Sequence, residues 1–262
     1  MQQDPLFSVE DQVVLVSGAS RGIGRTLAEG FAVRGARVVI CGREQATIEQ
    51  TATEISKGPH AVRPAVCDVA KPSEVASLVE RTLKELGRID TLINVAGVNK
   101  RMKVENYTLE EFDWILDINL RGAFHLSQLA GRHMIERRSG NIINIDSLNT
   151  YAPLKGVTPY AISKAGVSMM TRGMATEWGP YGVRVNAIAP GFFPTDLSKK
   201  LWAQDKMRSW GEGVTPLAKL GDLPDLVGAA IFLASQAAGF VTGQVLRVDG
   251  GVSAGISWPI DL

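Results

Sequence analysis

Short runs of valine, isoleucine and leucine alternate with helix-patterned stretches along this chain. "QVVLVSG", "ARVVIC", "HAVRPAVCD", "DTLINVAG", "GNIINID", "GVRVNAIAPG" and "QVLRVDGG" are the apolar runs. They are nearly continuous, as strands covered on both faces are. Segments such as "PSEVASLVERTLKELG" between them carry helical spacing. A long helical stretch is expected from about Thr108 to Arg137. Strands alternating with helices predict an α/β fold: one doubly wound parallel sheet of Rossmann type, with helices on both faces. The 262 residues fit one domain over 1–262. The segment "FFPTDLSKKLWAQDKMRSWGEGVTP", about 192–216, is read as an insertion covering the site.

Composition excludes several classes. Net charge is +1 without a long like-charged run, so neither nucleic acid nor an anionic membrane is an expected partner. No apolar stretch is long enough to span a bilayer, and the first residues lack a signal-peptide pattern. With two cysteines only, Cys41 and Cys67, a cytoplasmic location is expected. Both cysteines end neighbouring strands and read as small buried residues. No metal site is expected.

After the first strand comes "SGASRGIG", with Gly18, Gly22 and Gly24 leading into a helix. Phosphates need backbone N–H groups and a helix N-terminus brought close, and glycine permits the approach. Ser20, Arg21 and Ile23 belong to the same loop. An acidic residue ending the second strand would bind the ribose hydroxyls of NAD. Here "VVICGRE" places Gly42 and Arg43 there. Arg21 and Arg43 without a carboxylate suit a 2′-phosphate, so NADP is expected rather than NAD.

"SLNTYAPLKGVTPYAISK" contains Ser147, Tyr160 and Lys164. Thr158 reads as an N-cap and Pro159 as the first helical residue, which puts Tyr160 and Lys164 one turn apart on one face. An ammonium about 4 Å from the phenol attracts phenolate by roughly 4 kcal/mol at an effective dielectric of about 20. The expectation is a tyrosine acid–base group drawn below its ordinary pKa of about 10. Ser147 would orient the same substrate oxygen.

These motifs, in their order, resemble the short-chain dehydrogenase/reductase family. The matches are "SGASRGIG", "CDV" at Cys67 to Val69, "NVAG" at Asn94 to Gly97, "NLRG" from Asn119, Ser147 with "YAISK", "PG" at Pro190-Gly191 followed by Thr195, and "VDGG". The resemblance implies a catalytic tetrad of Asn119, Ser147, Tyr160 and Lys164. In it Tyr160 is the acid/base, Lys164 also holds the nicotinamide ribose, and Asn119 positions a water. It implies that Asp68 and Val69 face the adenine and that Asn94, Ala96 and Gly97 flank the cofactor. Pro190, Gly191 and Thr195 fall at the nicotinamide end. Three positions depart from the family pattern: Ser17 stands for threonine, Val95 for asparagine, and Asp146 for a small residue.

"AGVNKR" and "SLNT" resemble the branch that acts on sugar acids such as gluconate. That implies interconversion of a secondary alcohol and a ketone on a small-molecule substrate, with 5-ketogluconate as one example. The alternatives are a 3-oxoacyl-[acyl-carrier-protein] reductase on the same scaffold and a non-catalytic NADP-binding regulator. Arg101 is expected to bind the substrate carboxylate through its planar fork, with Asn149 and Lys155 on the hydroxyls. A homotetramer is expected by resemblance, with the tail "SAGISWPIDL" packed on a neighbour or frayed.

Overall fold

A computed structural model describes residues 4–196 and 198–255. Among these residues seven strands form one sheet in the order β3-β2-β1-β4-β5-β6-β7, and every pairing is parallel. The strands are β1 (Val13–Ser17), β2 (Arg37–Gly42), β3 (Arg63–Val66), β4 (Thr91–Asn94), β5 (Gly140–Ile145), β6 (Val183–Pro190) and β7 (Val245–Val248). The order reverses between β1 and β4, and a crevice opens above the carboxyl ends of strands at such a point.

Alternation along each strand feeds two cores. Val14, Val16, Ile40 and Ile143 pack with Leu27 and Phe31 of α1 (Gly22–Ala32), with α2 (Gln45–Ile55), and with Leu226 of α9 (Asp225–Ala234). Leu15, Val39, Ile142 and Val185 point the other way, onto α3 (Pro72–Leu86), α5 (Ala123–Glu136) and α6 (Thr158–Trp178). Both faces of β1 are therefore apolar, which explains its unbroken valine and leucine run.

Local signals place the helix ends. Pro72 opens α3, and Gly87 closes it in the left-handed region at φ 76°. Thr108 and Glu111 form a reciprocal capping box on α4 (Leu109–Leu116). Helix α6 starts one residue earlier than expected: Val157 is its N-cap, Thr158 lies inside, and no side chain caps it. The expected long helix is interrupted, because Asp117–Gly122 between α4 and α5 is π-helical. Gly122 lies where a Cβ would come 2.7 Å from the Val69 carbonyl oxygen, so the helix seats directly on the loop after β3.

Cys41 and Cys67 are both buried. The Cys67 N–H donates to Gly42 O at 2.9 Å, which continues the β2–β3 pairing. The segment after β6 holds two short helices, α7 (Lys199–Trp202) and α8 (Asp205–Val214). The tail from residue 256 onward lies outside the described residues.

Candidate active site

A cavity of about 870 Å³ opens at the carboxyl ends of β1, β2, β4 and β5. Its cofactor end begins with the glycine loop, and the three glycines there do different jobs. At Gly18, φ +65°, a Cβ would lie 2.6 Å from the Ala96 backbone, and at Gly24 it would lie 2.4 Å from Gly18 O. Both are needed for the strand, loop and helix to close on one another. Gly22, φ +55°, faces open space, with the Thr195 side chain as its nearest neighbour at 3.9 Å. Arg21, the N-cap of α1, makes no side-chain cap bond, and among the described residues no side chain takes up the first N–H groups of the helix. That is an anion-binding arrangement.

Arg21 and Arg43 are exposed and line the cavity together with Ser20, Ile23 and Gly42. A Cβ on Gly42 would fall 2.2 Å from Ser20 Oγ. An acidic residue at position 42 would first have to displace Ser20. Asp68 and Val69 also line this end. The Asp68 N–H is held by Glu74 at 2.8 Å, and its Oδ1 accepts from Ala70 N–H at 3.1 Å.

Ala96, Gly97, Pro190, Gly191 and Thr195 line the wall where the cofactor and substrate halves meet. Asn94 does not. It is buried at the end of β4, and its amide donates to Ser127 Oγ and Asn144 Oδ1, each at 2.8 Å. It therefore ties β4 to β5 and α5 from below. Asn119 is likewise absent from the wall. Its Nδ2 donates to Val98 O and Ser163 Oγ, each at 3.0 Å, and its Oδ1 accepts from Val98 N–H at 2.7 Å. With both amide protons committed, this side chain fixes the loop after β4.

Ser147, Tyr160 and Lys164 all line the wall. Ser147 Oγ accepts from the Asn149 N–H at 3.2 Å and from its Nδ2 at 3.1 Å. Asn149 Oδ1 accepts from Leu154 N–H at 2.8 Å, so Asn149 orients Ser147 and the loop carrying it. Lys164 is buried; its Nζ donates to Ile145 O at 2.6 Å and lies 5.7 Å from the Tyr160 ring centroid.

The direction of the tyrosine shift differs from the expectation. Burial raises the Tyr160 pKa, with the Ser147 hydroxyl and Arg101 working against that rise. Burial also lowers Lys164 to about 8, with Asp146 opposing. Desolvation outweighs charge attraction here because the ammonium is turned onto the Ile145 carbonyl. Spacing reveals that two groups share a face but not how deeply they are buried.

Lys100 is paired with Glu111, whereas Arg101 has no ion-pair partner among the described residues and lines the cavity. Lys155 lines it too. The opposite wall is aromatic. Phe192 stacks at a tilt on Trp202 and Trp210, with ring centroids at 5.1 and 5.3 Å. Leu148, Leu154 and Met207 complete this wall. None of these was expected from the motifs; the only signal was the position of the insertion.

A family model described as enoyl-(acyl carrier protein) reductase matches residues 18–253. The chain belongs to the short-chain dehydrogenase/reductase family of oxidoreductases. It is 38% identical to gluconate 5-dehydrogenase of Gluconobacter oxydans over 98% of this chain and 100% of that protein. It is also 38% identical to 5-keto-D-gluconate 5-reductase of Escherichia coli K12, over 94% of this chain and 97% of that one. The crystal structure of gluconate 5-dehydrogenase from Burkholderia cenocepacia J2315, in complex with NADP and tartrate, superposes with a TM-score of 0.92. That match has 36% identity and covers 96% of this chain and 99% of the other.

Proposed function

We propose that this protein is an NADP-dependent oxidoreductase that interconverts a secondary alcohol and a ketone on a sugar acid of the gluconate type. The observation carrying this reading is one cavity with an arginine pair and an uncapped helix N-terminus at one end and the Ser147–Tyr160–Lys164 cluster with Arg101 at the other. The near-full-length similarity to gluconate 5-dehydrogenase supports it.

The backbone N–H groups at Gly22, together with Arg21 and Arg43, would hold the pyrophosphate and 2′-phosphate. Asp68 and Val69 would border the adenine, with Ala96, Gly97, Pro190, Gly191 and Thr195 around the remainder. When bound, the nicotinamide supplies or takes the hydride. Tyr160 gives its phenolic proton to the carbonyl oxygen in reduction and takes it back in oxidation. Its raised pKa keeps that proton in place at neutral pH. The Ser147 hydroxyl donates to the same oxygen and fixes the carbonyl against Tyr160. Arg101 grips the carboxylate at the far end of the substrate.

Steady-state rates with NADPH on 5-ketogluconate, an uncharged ketone and an acetoacetyl thioester test the reading. Preference for the keto acid is expected. Preference for the thioester would reassign the enzyme to acyl reduction, and no NADPH consumption on any of them would leave a binding protein.

A homotetramer in the cytoplasm belongs to the same proposal. Trp114, Phe124, Ile162 and Met169 on α4, α5 and α6 are exposed apolar residues suited to mutual burial, and both cysteines are free thiols. Light scattering should give four times the 28.2 kDa chain mass.

A further inference from the structure

Asp146 has no part in the reaction as described, yet it sits directly between its working residues. It follows Ile145, whose carbonyl holds the Lys164 ammonium, and precedes Ser147. The residue is only 2% exposed. Its Oδ1 accepts from the Thr150 hydroxyl at 2.6 Å, and its N–H donates to Ile188 O at 2.7 Å. Its Oδ2 is buried and has no hydrogen-bond partner among the described residues. A buried carboxylate is costly without a counter-charge, and one hydroxyl is not a counter-charge.

The cation that acts on Asp146 is Lys164, and Asp146 is in turn the charge that acts on Lys164. They form no ion-pair contact among the described residues, so they act on each other across the Ile145–Asp146 peptide. Other charged or titratable groups face this neighbourhood from the packed elements. The Asp146 carboxylate raises both Tyr160 on α6 and Tyr151 in the adjoining loop. Arg172 of α6 and Arg247 of β7 act on Tyr151, and Arg101 acts on Tyr160.

We propose that Asp146 is a positioning residue whose buried carboxylate keeps Lys164 charged at the Ile145 carbonyl and so sets the pH range of the Lys164–Tyr160 pair. The proposal rests on the assignment of that pair as the acid–base machinery. Burial raises Asp146 to about 6 and lowers Lys164 to about 8, so carboxylate and ammonium coexist between those values. The Asp146 anion favours the protonated forms of Lys164 and of Tyr160, both of which ketone reduction requires. Removing it makes both lose their protons at lower pH. Below about pH 6 Asp146 is itself protonated, and its influence disappears.

The experiment is the pH profile of kcat/KM for ketone reduction by wild type, Asp146→Asn and Thr150→Val. In Asp146→Asn the alkaline limb should move down by about one pH unit, read as a roughly ten-fold loss on that limb. The variant and wild-type curves should converge below about pH 6. Thr150→Val keeps the carboxylate but removes the hydrogen bond that favours its ionised form. It should therefore raise the pH at which the wild-type advantage appears, and it tests the idea even where the asparagine variant folds poorly. An equal loss at every pH in Asp146→Asn, with both limbs unmoved, overturns the proposal in favour of a packing role. So does a Thr150→Val profile identical to wild type. A Tyr160→Phe enzyme that keeps its activity would instead remove the acid–base reading on which the proposal stands.

Discussion

The two ends of the cavity are built in different ways. The cofactor end is framed by backbone, namely strand ends, the Gly18–Gly24 loop and the first turn of α1, with the Arg21 and Arg43 side chains at its rim, all resting on the sheet and its two large cores. The substrate end consists of side chains on α7, α8 and the loop after β5, gathered on a small cluster around Leu148, Phe192, Trp202 and Leu220. At Gly211 of α8 a Cβ would come 2.7 Å from the Trp202 ring, so this cap is close-packed but thinly founded. Backbone sites are shared across a fold, whereas specificity sits on the elements that can be exchanged. Segments with few buried contacts also open at lower free energy than the core.

Tyr160 lies on the seam between the two ends, and its loss should have the largest effect. Tyr160→Phe should lower kcat by about 10²- to 10⁴-fold while leaving NADPH affinity near wild type, as measured by fluorescence titration. A variant retaining more than about a tenth of the activity removes the proton-donor assignment.

Stability should separate the two ends next. Phe31, fully buried between α1 and the sheet, should cost about 3–5 kcal/mol as Phe31→Ala in denaturant unfolding. Trp202→Ala in the cap should act chiefly by faster amide exchange in α7 and α8. Equal global destabilisation by the two would mean that cap and core unfold as one unit.

Arg101→Ala should then raise KM for a keto acid by roughly ten- to a hundred-fold, an interaction lost at the substrate end alone. Little change is expected on an uncharged ketone. Equal losses on both substrates would show that Arg101 shapes its loop.

The smallest effect is expected at the cofactor end. Arg43→Ala should weaken NADPH relative to NADH by about ten-fold, as one charge-assisted phosphate contact is lost. Adding Gly42→Asp should complete the shift only where Ser20 rotates out of the new side chain's way. A wild type already preferring NADH would refute the 2′-phosphate reading.

The cofactor end was also the more legible in sequence, for the same physical reason. A backbone turn that admits only glycine leaves its mark at fixed spacing, so Gly18, Gly22 and Gly24 could be read directly. The parallel sheet announced itself through its continuous apolar runs. The cap did not, because the contact of Phe192 with Trp210 joins residues whose separation follows no period. Asn94 and Asn119 carry family motifs, but only the fold reveals that their amide N–H groups are spent inside the protein. The direction of the Tyr160 shift needed burial, which is a property of the assembled tertiary structure.

The π-helical run from Asp117 to Gly122 has a consequence for chain length. An α-helix turns by about 100° per residue, so an inserted residue would swing everything beyond it off its packing face. A wide turn absorbs that residue locally, and α4 and α5 keep their buried sides toward the protein on either side of it. Asn119 lies within this run, and its amide reaches Val98 O. Deleting Arg121, which is exposed and pairs only with Asp117 among the described residues, should give an ordinary helix with both flanks still seated. The molecule would fold, and the loop after β4 would have lost its anchor.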